Sequence, residues 1–504
     1  ACIGLAFTFR SKTAGRIYLF DLFGAGTGAV LVIALLFFLP AQHALVLLSL
    51  LALCAALIAA SGKVLRLSAI AWAALLLAGL QSGLFDPAPS EFKSLSTSLQ
   101  TTGSGVVTGR SSPLGLLTVV QSPAVPFRHA PGLSMATRHT PPEQMAVFRD
   151  GDGMSVINRW SGNEPPPGYL GDMTSALPYY LLDSPRVLIL GAGAGSDVLQ
   201  AIRHGASYID AVELDPNMTG LLREEFAEFS GGLYAHPRVN LHHGEARGFS
   251  ARSDQDYDLV QIGLLDSFAV SGSGVQSLNE NYLYTTGAIR DYLRLLNPGG
   301  VLAITRWLKV PPRDCFKLVN TVATSLREDG VTDPGKRLAM IRGWSTVTLV
   351  VRNGELSAGD ISALKKFAAP RSFDTVYYPS MPPGEANRYN RLDRPWFHEG
   401  VQALLGPEAG DFTERYKFNI DAATDERPYF FNFFRWPVFF EAMSLRDRGG
   451  AALVEWGDLV PAATLIQAVL AGAVLILLPL SLTARRQPAS PGKRAGAYFF
   501  LLGL

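Results

Sequence analysis

Three apolar runs, residues 17–39, 43–60 and 67–84, follow one another across two short connectors. Each is 18 to 23 residues long and nearly free of charge. That length carries a helix across a hydrocarbon layer of about 30 Å. Only an element that satisfies its backbone hydrogen bonds internally can cross such a layer, so each run is expected to be a transmembrane helix. Helices buried in a water-soluble core are the competing reading, but three such runs in succession would leave hardly any face for water. The runs are also too long and too often repeated for a secretory leader. A fourth run, 459–482, has the same character. The sequence opens (1–9) and closes (497–504) in further apolar stretches, expected to be pieces of two more membrane helices.

Basic residues alternate between the connectors. Arg10, Lys12 and Arg16 precede the first run, 40–42 has none, Lys63 and Arg66 precede the third, and Arg485, Arg486, Lys493 and Arg494 follow the fourth. The bias of Lys and Arg toward the cytoplasm then puts the polar region, 85–457, on the opposite face. Across the 504 residues, 44 Lys and Arg balance 43 Asp and Glu, which offers no electrostatic footprint for nucleic acid. Of three cysteines only Cys315 lies in the polar region, so neither a disulfide framework nor a cysteine metal site is expected there.

The polar region changes character along its length. Residues 85–182 are rich in Gly, Pro and Ser and carry short β-type runs at 115–121, 145–149 and 154–158, with turn chemistry at 150–153. From residue 186, strands at 187–190, 208–213, 239–242, 257–262 and 301–306 alternate with amphipathic helical stretches, the pattern of a doubly wound parallel sheet. Two more strands, 337–342 and 346–351, are separated by a tight turn and are expected to pair antiparallel. The fold class is therefore a multi-helix transmembrane protein plus an α/β unit: a seven-strand class I methyltransferase-like, Rossmann-like domain with a small N-terminal β domain. The boundaries are 1–84 for the first membrane helices, 85–182 for the β-rich unit and linker, and 183–370 for the nucleotide-binding domain. Residues 371–457 form an aromatic and Arg-rich extension, and 458–504 the last membrane helices.

VLILGAGAGSD (187–197) reads as a buried strand, glycines at Gly191, Gly193 and Gly195, and the start of a helix containing Asp197. Glycines let backbone approach a ligand, and a helix N-terminus favours electron-rich groups. A Gly-rich turn is also an ordinary way of joining a strand to a helix. Glu213 adds weight, because it ends the second strand, where a carboxylate can accept both hydroxyls of a ribose. Glu245, after the third strand, either lies near an adenine or serves as a helix-start acid. His242 and His243 have no metal-ligand partner at suitable spacing and are read as structural; no metal is expected. Two stretches, 388–400 and 424–436, are dense in aromatics and Arg. Docking onto the bilayer or its helices is favoured over substrate binding for both, since amphipathic aromatics suit the membrane interface.

The segments VLILGAGAGSDVLQAI, AVELDP, HHGEARGF, YDLVQIGLLDSF, NENYLY and LNPGGVLAITRW resemble, in order and spacing, spermidine synthases and their membrane-fused bacterial relatives over about residues 145–306. FRDGDGMSVI resembles the family's amino-terminal hairpin, and LPYYLL the helix entering the first strand. The resemblance implies a plasma (inner) membrane protein that takes S-adenosylmethionine or its decarboxylated form as donor. The acceptor would be a small amine or a membrane-proximal group, with the lipid bilayer as a partner and room for a homodimer. It also implies a substrate-pocket role for Tyr169. Departures are equally specific. Where the family has an acid in the Gly-rich loop this chain has Ala194, and where it has the first of two acids after the fourth strand this chain has Gly263. Asp266 keeps the second position, so Asp266, Tyr169 and Glu280, with Tyr282, are the catalytic candidates. Glu280 alternatively caps the helix that follows it. Gly191, Gly193, Gly195, Asp197, Glu213 and Glu245 are the candidates for holding the nucleotide.

A transferase of aminopropyl or methyl groups is thus expected, with a non-catalytic ligand-binding or transport-associated module as the rival. Adenosyl nucleotides are cytoplasmic metabolites, which conflicts with the sidedness read from the basic connectors. A reporter fused near Ser90 should signal an extracytoplasmic position and one near Arg485 a cytoplasmic one. Cytoplasmic signals from both would mean that one expected span does not cross.

Overall fold

The structure, a computed structural model, describes residues 11–86, 89–265, 279–444 and 456–477. Three helices open it: α1 (Ala14–Leu36), α2 (Ala41–Ala59) and α3 (Lys63–Gln81). Almost none of their apolar surface is buried by protein, and among the described residues these three are long and apolar enough to cross a membrane. The fourth expected span is described only in part, as a helix Trp456–Gly472 continued by a wider turn to Leu477.

A short helix, α4 (Ser94–Leu99), leads into an antiparallel four-stranded sheet with strands in chain order: β1 (Gly105–Ser112), β2 (Gly115–Gln121), β3 (Gln144–Arg149) and β4 (Asp152–Asn158). The first strand was not expected. Its sequence, GVVTGRSS, is poor in strand formers, and pairing with β2 holds it at the sheet edge. The β3–β4 turn has Asp150 and Gly151 at φ 51° and 76°, the left-handed pair that matches strand twist, and Asp150 Oδ1 accepts from Leu116 N at 2.9 Å.

The second sheet contains β5 (Arg186–Leu190), β6 (Tyr208–Glu213), β7 (Val239–His243), β8 (Tyr257–Ile262), β9 (Leu296–Trp307), β10 (Leu338–Arg342), β11 (Thr346–Arg352) and β12 (Asp374–Tyr377). Their spatial order is β7-β6-β5-β8-β9-β11-β10-β12. The first five run parallel, and β11 pairs antiparallel with both β9 and β10. This is the class I methyltransferase-like arrangement, in which the last hairpin inserts its second strand beside the fifth. Both faces are covered. Val187 and Ile189 of β5 point into one core, Leu188 and Leu190 into the other, as a parallel sheet requires.

Two expectations need correction. The sheet has eight strands rather than seven, because β12, from the segment assigned to the C-terminal extension, pairs with the apolar edge of β10 and covers it. The clamp is Asp374, which is buried, lies 3.2 Å from Arg342 and accepts the backbone N–H groups of Tyr389 and Asn390 at 2.9 and 2.8 Å. The aromatic stretches are also partly core. Phe397, Phe430 and Phe433 are buried against the helix α9 side of the sheet, α9 being Asp314–Glu328 when α5 (Ser196–Arg203), α6 (Pro216–Gly220), α7 (Ala246–Arg252) and α8 (Thr286–Arg294) are counted before it. Phe430 and Phe431 cover Arg306, which is 1% exposed and donates to Tyr284 Oη at 3.2 Å and Asp314 Oδ1 at 3.1 Å, while Phe397 lies against Arg342 and Phe433 against Arg313 and Lys317. Tyr389, Trp396, Tyr429, Trp436 and Phe440 remain exposed.

Removing one partner of a buried ion pair strands the other charge. Arg306→Ala should therefore destabilise the polar domain by about 3 to 5 kcal/mol, read as a lower denaturation midpoint, and Arg306→Lys by less. An unchanged midpoint in Arg306→Ala would show that Asp314 finds solvent or another donor.

Candidate active site

The connection leaving β5 crosses toward β6 and β7, then returns to β8 on the other side. A crevice opens at that reversal, beyond the carboxyl ends of the strands. The Gly-rich turn lines it. Gly191, Gly193 and Gly195 have φ of 80°, 53° and 87°, left-handed values that only glycine adopts without strain, and Gly195 caps α5. Gly191 N and Ala192 N both donate to Val212 O at 2.9 Å. Gly193 is held from both sides: its N–H donates to Glu213 Oε2 at 2.8 Å, and its carbonyl accepts from Tyr234 Oη at 2.7 Å.

The cavity measures about 830 Å³ and is lined by the Gly-rich turn together with Tyr169, Asp197, Glu213, Glu245 and Gly263. That volume suits a nucleoside with a second small group. Glu213 is nearly buried, and its second oxygen accepts from Asp215 N at 2.9 Å. Asp197 opens into the cavity from the first turn of α5, and Gln261 Nε2 donates to its Oδ1 at 3.0 Å. Its pKa is raised to about 6, because burial disfavours the charged form and Gln261 offsets only part of that. Tyr169 is buried, donates to Asn158 Oδ1 at 2.8 Å and stays a neutral phenol, since desolvation drives its pKa far up.

The remaining candidates divide. Glu245 lines the cavity, but both its oxygens cap α7, Oε1 accepting from Arg247 N at 2.8 Å and Oε2 from Gly248 N. Glu280 is exposed, does not line the cavity and accepts from Tyr282 Oη at 3.1 Å. It does not cap the following helix: Thr285 caps α8. Asp266 lies outside the described residues. His242 bonds Asp210 at 2.7 Å, a structural contact on β7.

Sequence reasoning missed Gln261 and Tyr179. Tyr179 Oη donates to Gln261 Oε1 at 2.5 Å, which leaves the amide NH₂ of Gln261 for Asp197 and Gln200. The available signal was a lone amide in the otherwise apolar run LVQI of β8. Also unforeseen is a wall supplied by the segment after α3, with Phe92, Ser94, Thr97 and Ser98 facing the cavity.

Residues 173–307 match the spermine/spermidine synthase domain. A polyamine aminopropyltransferase of Nitrosomonas europaea is 25% identical over 175 residues, 34% of this chain and 51% of that protein. Polyamine aminopropyltransferase 2 of Pseudomonas aeruginosa is 32% identical over 125 residues, 24% of this chain and 34% of that protein. The chain spans about half, or less, of the length of these curated relatives. Among solved structures, spermidine synthase from Thermotoga maritima aligns with a TM-score of 0.35 at 14% identity, over 60% of this chain and 87% of that one. Human methyltransferase-like protein 13 in complex with SAH aligns with a TM-score of 0.29 at 17% identity, over 40% and 90%. By its domain match, its sequence relatives and its own strand order, this chain is a spermidine synthase-like protein with a class I methyltransferase-like fold.

Proposed function

We propose that this protein is a membrane-embedded transferase that binds S-adenosylmethionine or its decarboxylated form in the cavity and passes an aminopropyl or related group to an amine. The observation that carries the reading is the Gly193–Glu213 pair at the crevice. It holds a carboxylate at the end of the second strand, where a ribose diol can donate to it, beside backbone bare enough for close approach. A sulfonium donor and an ammonium acceptor both carry positive charge, and Glu213 and Asp197 give the cavity carboxylates that favour such ligands. Attack on the carbon beside sulfur asks of the protein alignment of the amine and a place for its proton. The three apolar helices would anchor the domain at the bilayer.

A second reading, methyl transfer to a membrane-borne acceptor, is favoured by one observation. The wall made by Phe92, Ser94, Thr97 and Ser98 comes from the segment between α3 and the β domain, and the α1–α2 connector meets that domain where Ser111 Oγ donates to Leu39 O at 3.4 Å. The cavity therefore has one side on the chain segment nearest the apolar helices.

Calorimetry of the full chain with each adenosyl nucleotide, followed by mass analysis of products from added amines, separates these readings. Glu213→Ala should weaken nucleotide binding by about 1 to 3 kcal/mol, the cost of losing a hydrogen bond to a charged group. Unchanged affinity in a folded Glu213→Ala variant would remove the ribose assignment. Tight binding without any product would favour a ligand-sensing module.

A further inference from the structure

We infer that Asp197 is the residue that receives the acceptor's ammonium group and takes its proton, and that position 263 is glycine to leave room for that carboxylate. The inference rests on the proposed amine chemistry of the cavity and identifies where it occurs.

Gly263 follows β8 directly, and its backbone does not fall in the left-handed region, so conformation does not demand glycine there. Space does. A Cβ built on Gly263 would lie within the contact radius of Asp197 Oδ2, with nothing flexible to move except the carboxylate itself. The two positions share one volume, and in this chain the acid enters it from α5 instead of from the end of β8. Gln261, oriented by Tyr179, fixes Asp197 through Oδ1. Among the described residues Oδ2 has no hydrogen-bond partner.

Among the described residues, no other group lining the cavity is as available. Glu213 and Glu245 are each bonded to two backbone N–H groups. Asp215 pairs with Arg149 at 2.9 Å, which also neutralises the one Arg or Lys among the described lining residues. His129 is neutral, because burial lowers its pKa to about 4. Tyr169, Tyr179 and Tyr234 face Asp197 as neutral phenols, their pKa values driven up by burial. Among the described residues, Asp197 is therefore a carboxylate set among neutral groups.

The step balances. The ammonium gives one proton to Asp197, and the freed lone pair attacks the methylene carbon of the adenosyl sulfonium. The C–N bond forms as the C–S bond breaks, its electron pair leaving on sulfur as a neutral thioether. The product is a secondary ammonium, and Asp197 then releases its proton to solvent.

The test titrates butane-1,4-diamine into the full chain held with saturating methylthioadenosine. Because Asp197 is ionised above about pH 6, diamine affinity should fall about tenfold between pH 7.5 and pH 5. Asp197→Asn should weaken the diamine at least about tenfold and flatten that pH dependence, while the nucleoside binds within about threefold of the parent. Asp197→Ala combined with Gly263→Asp should recover diamine binding, whereas Gly263→Asp alone should not support it. Diamine affinity unchanged in Asp197→Asn, or equal losses of nucleoside and diamine, would overturn the assignment. A parent that binds nucleoside without any Asp197-dependent diamine binding sinks this inference alone; a parent that fails to bind nucleoside sinks the proposed function.

Discussion

The hydrogen bond between Gly193 N and Glu213 ties the end of the first parallel strand's turn to the end of the second, and the site is organised around it. It can form only because β5 and β6 are adjacent and in parallel register, with Leu190 opposite Val212. That register in turn depends on burial of both faces of the sheet, since a slip by one residue would exchange the side chains that fill the two cores. The left-handed glycines complete the constraint. With side chains, the turn could neither bend toward Val212 O nor seat Leu233 against Gly195.

Much of this was legible in the sequence, and for identifiable reasons. The strand, Gly-rich turn and helix of VLILGAGAGSD announce themselves through a run of apolar residues broken by glycines at alternate positions, and Glu213 follows from counting to the end of the next strand. What escaped depended on contacts distant in the chain. Strand β12 has only four residues and pairs with β10, more than thirty positions earlier, so no local period betrays it. The rings of 424–436 look like interface residues until Arg306, more than a hundred positions before them, supplies the charge they cover. Glu280, by contrast, pairs at the surface with its near neighbour Tyr282.

Under the role inferred for Asp197, the carboxylate of this cavity comes from α5 and not from the loops after β5 and β8. Ala194 and Gly263 remove carboxylates from two loops, yet Asp197 opens into the same cavity from α5 with Gln261 beneath it. A Cβ at position 263 would collide with Asp197 Oδ2, so side chains at the two positions compete for one volume. The raised pKa of Asp197 is the physical mark of its burial, which the Gln261 hydrogen bond only partly offsets.

The Asp374 clamp bears on how this chain can be divided. A fragment cut after β11, where a minimal nucleotide-binding fold would end, loses the carboxylate that neutralises Arg342 and uncovers the β10 edge. A cut before residue 430 also strips the aromatic cover from Arg306. Two buried guanidiniums and a bare strand edge would then face water or one another, the composition of a protein that aggregates on expression. A piece that keeps both guanidiniums covered must therefore extend past the second aromatic stretch, through Val438 of the core.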